Sequence, residues 1–418
     1  MHGSFQGCRP NALRFAVGAT LATSIGLSLS CQPNAPVAPS QSPSAASDAD
    51  AGQSDTAQTP NDGSHDDAPK RAFSFRPSNI GRDAIASEPS GPLVIDRETC
   101  GGTAVDLDVD TATIGGCAGL GPDLTRLFRR VPQTNGTPLA MLFATRVVIG
   151  PDVIVTLHGS PPFALIASET VEIAGRLDGA AHQNQGLLGG YSGLDGEKGD
   201  GMGPGAGIGT GVGGGGGGGF CGRGGGGGSG NRGGETYGTP TLVPLVGGSS
   251  GGNGRIRYAG AGGGAIEIVA AKSITIAKTG VVHAGGAGGE QEGGGGGSGG
   301  AILLEAPTVE VAGILAANGG GGGSSGLFGE DAHADDGPAP GGAAIRLNTG
   351  EGGAGSAGFT LDGAAGNANP TYIDGEYTGG GGGGAGYIRI AGNEVAVTGI
   401  LSPSFGTRCA TQGVLAPP

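Results

Sequence analysis

Three carboxylates alternate along residues 105–111, VDLDVDT: Asp106, Asp108 and Asp110. A period of two sets them on one face of a strand and Val105, Leu107 and Val109 on the other. Such a row offers the oxygen ligands that a hard cation takes, so calcium binding is the chemistry it could perform. The spacing fits neither the EF-hand loop nor the glycine–aspartate nonapeptide of calcium-binding β-repeats. The row is therefore read as an acidic, solvent-facing strand face, with calcium as the weaker alternative. Glu330, Asp331, His333, Asp335 and Asp336 form a second acidic knot among Gly and Pro, read as solvated surface. No catalytic residue and no cofactor is assigned.

Cysteine supplies the other reactive groups. Cys100, Cys117, Cys221 and Cys409 remain once an N-terminal segment carrying Cys8 and Cys31 is set aside. No pair has the C-x2-C spacing of a zinc site. Cys100 and Cys117 lie close together beside glycine-rich turns and are expected to form a disulfide. Cys221 with Cys409 then follows by elimination. The pattern GxGxxG recurs, but among 99 glycines it carries no information, and no match links a strand to a helix. The formal charge is −14, from 36 acidic and 22 basic residues. An acidic chain repels phosphate backbones, and no basic cluster interleaves with aromatics, so nucleic acid is not an expected partner.

The elements that carry these residues begin with an address. Arg9 and Arg14 precede an uncharged stretch at 15–30, FAVGATLATSIGLSLS, that ends at Cys31. Basic start, apolar middle and small-residue exit read as an export signal over 1–31, too short and too weakly apolar to span a membrane. Its end resembles a bacterial lipobox, which implies lipidation of Cys31 and a membrane partner reached through that lipid. The box departs from the usual form: Ser28 stands where Leu is common, and Leu29 follows it. An ordinary secretory signal cut nearby is the alternative. Residues 32–92 are rich in Pro, Ala, Ser, Asp and Gln and read as a disordered tether, since so little apolar area cannot offset ordering entropy.

The body repeats. Residues 303–315, LLEAPTVEVAGIL, align with 165–177, LIASETVEIAGRL, and with 389–401, RIAGNEVAVTGIL. Residues 266–282, IEIVAAKSITIAKTGVV, match after two short insertions, and 146–159, RVVIGPDVIVTLHG, supply a further coil. A fainter copy joins Ile345-Arg346-Leu347 to 359–363, FTLDG, with evenly spaced starts at Ile302, Ile345 and Ile388. Each unit holds two or three short strands with apolar residues alternating. Gly175, Gly313 and Gly399 follow at a fixed offset, where a turn through positive φ would want glycine.

Short strands punctuated by turns predict an all-β fold, a parallel β-helix or solenoid. Residues 93–145 would form an N-terminal β segment capping it, 146–406 the repeats, and 407–418 a tail. The long glycine tracts are 213–219, 224–228, 293–297, 319–323 and 379–384. They are expected as loops leaving one edge of the solenoid, stacked as extended polyglycine where ordered. The largest insertion, 180–255, is expected to protrude furthest.

With these repeats the chain resembles right-handed parallel β-helices of the pectin-lyase-like kind. It is more similar still to glycine-rich lipoproteins of unassigned activity that abound in myxobacteria, which share a turn like Gly159-Ser160-Pro161-Pro162-Phe163. The likeness covers about 106–405. It implies a fold and an outer-membrane or cell-surface address, and no activity. Because many β-helices act on polysaccharides, the outward columns matter: hydrolysis wants two flanking carboxylates. One column holds Glu267, Leu303, Arg346 and Arg389; the other holds Glu172, Thr275, Glu310, Thr360 and Ala396. Neither concentrates acids, and the Asn-Thr-Asp and Gly-His-Gly elements of polygalacturonases are missing. The expectation is a non-enzymatic surface lipoprotein with a structural, adhesive or matrix-contact role, meeting envelope polysaccharide or other surface proteins. A carbohydrate-active β-helix of the cell envelope is the alternative.

Overall fold

Runs of three to six Val, Ile, Leu and Ala residues, cut by Gly and Pro, leave the strand as the main element open to this chain. A computed structural model describes residues 72–418, apart from 134, 194–198, 256–257, 345–348 and 369–376. It is nearly all-β. Among the described residues, helix is confined to a 3-10 turn at Arg82–Ile85 and one turn at Arg97–Cys100. The latter starts where the Asp96 carboxylate accepts from the Thr99 N–H, and it stops at Gly101, in the left-handed region.

The strands lie in three sheets, and the chain visits the sheets in rotation. The first sheet stacks Leu93–Ile95, Val147–Ile149, Thr170–Ile173, Ser273–Ile276, Thr308–Val311 and Glu394–Val397. The second stacks Ala104–Asp108, Ile154–His158, Arg176–Asp178, Val281–His283, Ile314–Ala316 and Ile400–Ser402. The third stacks Gly136–Ala144, Phe163–Ala167, Ala265–Ala270, Ala301–Glu305, Tyr387–Ala391 and Ala410–Gly413. All these pairings are parallel. Two antiparallel strands, Thr113–Gly115 and Phe128–Gln133, close the N-terminal edges of the second and third sheets.

Register turns the repeats into ladders. Val147, Val171, Ile274, Val309 and Val395 fall in one inward column, and Val155, Leu177, Val282, Leu315 and Leu401 in another. All but Val395 and Leu401, at the C-terminal end, are fully buried or within 1% of it. Each such side chain adds about 1.5–3 kcal/mol over its exposed state. The bands share one continuous core.

Several expectations need correction. Ile302 pairs directly with Ile388, so no repeat unit fits between them. Ile345-Arg346-Leu347 lie outside the described residues, and Thr360 bridges Ala357 rather than joining a column. Residues 165–177 align with 303–315 over the first-sheet strand, but in the third sheet Leu165 shares a column with Leu304 rather than Leu303. Gly175, Gly313 and Gly399 are not at positive φ. A Cβ at any of them would instead overlap a carbonyl oxygen of the preceding repeat: Val153, Gly280 and Gly313 respectively. The tether reading does not hold over 72–92, where Phe73, Phe75 and Ile80 are buried. Most of the tether, and Cys31, lie outside the described residues. The tail at 407–418 is not free, because Ala410–Gly413 extends the third sheet.

Candidate functional site: a glycine lattice and a roofed sheet face

Every long glycine stretch leaves after a second-sheet strand and returns before a third-sheet strand, so all of them gather at one corner. There they form an ordered array. In the tract 213–219, Gly215 and Gly218 donate to Gly293 and Gly296, Gly216 and Gly219 to Ile208 and Gly205, and Gly217 to Gly225. A donor that returns to the same neighbour after three residues marks an extended helix with three residues per turn, the geometry of polyproline II. The same tract accepts from Gly381 and Gly384, from Gly252 and from Gly234, so neighbours surround it on all sides.

Three tracts close a ring: Gly218 donates to Gly296, Gly296 to Gly381, and Gly381 to Gly215. Residues 319–323 run antiparallel between two of them, with Gly320 donating to Gly297 and Gly323 to Gly294. The array continues the third sheet, since Ala301 donates to Gly264 and Tyr387 to Gly300. Glycine is demanded here by space. A Cβ at Gly217, Gly296 or Gly381 would overlap the carbonyl oxygen of Gly382, Gly320 or Gly225. The tracts 213–219, 293–297, 319–323 and 379–384 are buried throughout, while 224–228 lies at the rim. The expectation that 180–255 would protrude is thus corrected. Its longest tract occupies the interior of the lattice.

The outer face of the third sheet is the second unexpected feature. Ala164, Glu267 and Leu303 share one outward column with Arg389, and Ile166, Val269 and Glu305 share the next with Phe143. A strap at 72–85 and residues around Phe220, Leu242 and Leu245 cover this face and form a second apolar core with it. The disulfide Cys221–Cys409 lies in that layer. Glu267 and Glu305 are buried within it. Ser78 donates to Glu305 twice, from its N–H at 2.9 Å and its hydroxyl at 2.6 Å. Neither Glu267 oxygen has a hydrogen-bond partner of good geometry. Burial foremost, then the neighbouring Glu305, pushes the Glu267 carboxyl well above the usual carboxylate range.

Comparison with protein-family models, curated proteins and solved structures found no match.

On the outer face of the second sheet, Asp178 and His283 sit side by side in register. Asp178 accepts from Arg176 Nε at 2.7 Å, and His283 Nδ1 lies 2.8 Å from Arg176 Nη2. His283 Nδ1 also lies 3.2 Å from Asp178 Oδ1, and its Nε2 is buried without a hydrogen-bond partner. Burial would raise the Asp178 carboxyl, but its contacts with His283 and Arg176 and the Ala180 N–H outweigh that and hold it at about 2.

Both expected disulfides, Cys100–Cys117 and Cys221–Cys409, are present. Asp106 and Asp110 are exposed and alternate with buried Val105, Leu107 and Val109, with Asp108 half-buried. They do not converge as calcium ligands. Asp106 meets His158, Asp108 accepts the Asp110 and Thr111 N–H groups of the turn, and Asp110 pairs with Arg130 and accepts from Ser160. Among the described residues no group of three or more His, Cys, Asp or Glu side chains is arranged to hold a metal ion. In the acidic knot, Asp331 meets His182 at 2.6 Å and Glu330 meets His333 at 3.0 Å. Among the described residues no helix is long and apolar enough to cross a membrane.

The outward columns also change meaning. Glu172, Thr275, Glu310 and Ala396 do share a column of the first sheet. Glu267 and Leu303 are fully buried, because the roof covers them. A signal for that roof was available. The third-sheet strands read FALIA, AIEIVA and AILLE, apolar on both faces rather than one, as expected of a strand covered on both sides.

Proposed function

We propose that this chain is a non-enzymatic, surface-exposed lipoprotein with a structural and adhesive duty. In this reading lipidated Cys31 tethers a parallel β-helix body whose buried glycine lattice supports the loops around it. Rotation of the chain through three sheets, with inward ladders in register, supports the β-helix. Two disulfides fit an exported protein.

The observation that carries the duty is the burial and three-way hydrogen bonding of the glycine tracts. A lattice without side chains has little chemistry of its own, but it holds the loops that cap it in fixed places. Two of those loops expose aromatic rings: Phe328, 53% exposed beside Leu327, and Phe359, 76% exposed in a tight turn. Aromatic anchors on rigid supports bind with little loss of conformational entropy, and envelope polysaccharide or surface protein is the partner they fit. The test is sedimentation of the purified body with isolated cell envelopes. The double variant Phe328→Ser and Phe359→Ser should keep the parent melting temperature and lose most of the co-sedimenting fraction. Unchanged co-sedimentation would remove the adhesive role from these loops.

A second reading has one observation behind it. Glu172 and Glu310 are both exposed in one column, two strands apart, or about 9–10 Å at the usual strand spacing. That is near the upper end of the separation used by inverting glycosidases. Glu172 is engaged by Arg146 at 3.0 Å, which is why the structural reading is preferred.

A further inference from the structure

The acid pair beneath the strap has no role in the lattice or in adhesion, and its surroundings are unusual. The strap alternates: Phe73, Phe75, Pro77 and Asn79 are buried while Ser74, Arg76 and Ser78 are exposed. It therefore lies on the third sheet as an extended chain with one face down. The Arg76 N–H donates to the Ala416 carbonyl and the Ala84 carbonyl accepts from Arg129, while the attachments of Ser78 and Asn79 gather at one place. Ser78 donates twice to Glu305, and Asn79 Nδ2 donates to the Leu242 carbonyl at 2.9 Å across the roof. Directly beside them lies Glu267, fully buried and facing Glu305 and the Asn79 amide groups, but without a hydrogen bond of good geometry.

Two carboxyl groups in an apolar layer need a counter-charge or a proton. Among the described residues no ion pair reaches either of them. The strap's own Arg76, Arg82 and Asp83 are exposed. On the sheet, Arg389 shares the Glu267 column but turns to Thr411, and the Tyr387 hydroxyl donates to the Tyr237 carbonyl. In the roof, the Tyr237 hydroxyl donates to Gly247. With every neighbouring cation directed elsewhere, a proton is what remains to neutralise the pair.

We propose that Glu267 and Glu305 form a proton-operated clasp: a proton held between them keeps the strap docked, and its loss to solvent releases the strap and uncovers the apolar face of the third sheet. The sign follows from linkage. Glu267 holds its proton when the strap is down and gives it up at an ordinary carboxylate pH once exposed. Docking is therefore favoured in acid, and release grows as pH rises above the ordinary range, by about tenfold in the opening constant per pH unit for one proton. That trend continues until the docked pair itself ionises.

Amide hydrogen exchange on the full chain tests this between about pH 5 and pH 8, after correction for intrinsic rates. Opening of 72–85 should steepen by about tenfold per pH unit, while the second-sheet strand Ile154–His158 stays flat. Glu267→Gln, which is isosteric and cannot ionise, should flatten the profile of the strap. Ser78→Ala, which removes one strap donor, should raise strap opening at every pH while keeping the slope. A parent strap whose corrected exchange does not change with pH overturns the clasp, whether or not the variants fold. So does a Glu267→Gln profile as steep as the parent's.

Discussion

At Gly381 an added methyl group would overlap the carbonyl oxygen of Gly225, and no flexible side chain is there to give way. At Gly226 the nearest atom to the same methyl is the Asn231 carbonyl oxygen at 3.4 Å. Neither residue is at positive φ, so the difference between them is one of volume. Gly381→Ala should therefore destabilise by about 1–3 kcal/mol or more, as overpacking of a close-packed interior does. Gly226→Ala should be neutral or slightly stabilising, since alanine lowers the entropy of the unfolded chain. Thermal melts of the two variants decide it. Equal losses would mean that lattice glycines are chosen for flexibility. Glycine count was plain in the sequence, but its purpose was not, because a tract reads the same whether it turns, flexes or packs. The alternation of Asp106, Asp108 and Asp110 was legible, and so were the four cysteines. The burial of Glu267 was legible only in part: the apolar run of its strand signals cover on both faces, but what covers it comes from residues almost two hundred positions earlier.

Among elements, the inward ladders were the most readable feature, because period-two alternation within a repeat specifies which residues face in. Val311 is fully buried between Ile276 and Val397, and Glu310 beside it is exposed. Val311→Asp should abolish cooperative unfolding, since a carboxylate in that ladder must be desolvated or neutralised and neighbouring repeats depend on one another. Glu310→Gln should melt close to the parent. The glycine tracts need a different expectation from that of tolerant loops. Residues 319–323 donate in turn to Ser356, Gly297, Glu330, Gly353 and Gly294. Removing one residue rotates every later donor away from its partner, whereas removing three restores the phase at the cost of one turn. Melting temperature should therefore fall in the order parent, three-residue deletion, one-residue deletion. A one-residue deletion milder than the three-residue one would rule out the threefold register. Loop-closure entropy, which changes slowly with length, cannot produce that order.

Across the whole molecule, two stabilising systems meet at the third sheet. Its inner face belongs to the ladder core, and its outer face to the roof that also contacts the lattice. The alternation of apolar strand residues pointed to the first system and not to the second, because the roof is assembled from three segments far apart in the chain. Such long-range closure shows locally only as strands apolar on both faces, and nothing in them names the segments that cover them. The two disulfides divide between these systems. Cys100–Cys117 spans 17 residues within the N-terminal region and ties one turn to its neighbour. Cys221–Cys409 spans 188 residues and joins the large insertion to the last strand of the third sheet, inside the roof. On a chain-entropy model a bond closing the shorter loop stabilises by about 3 kcal/mol and one closing the longer by about 5 kcal/mol. The longer bond also holds Phe220 against Tyr237 and Tyr387, ring contacts at 4.6 and 4.9 Å. Replacing Cys221 and Cys409 together by Ser should therefore lower the melting temperature more than replacing Cys100 and Cys117. It should also raise amide exchange in the roof and in the lattice tract 213–219, while the first-sheet strands keep their protection. The cysteine-to-serine pair at 100 and 117 should loosen only 93–120. If the 221–409 variant instead loses protection evenly through all three sheets, roof and ladder core are a single cooperative unit, and the division into two systems fails.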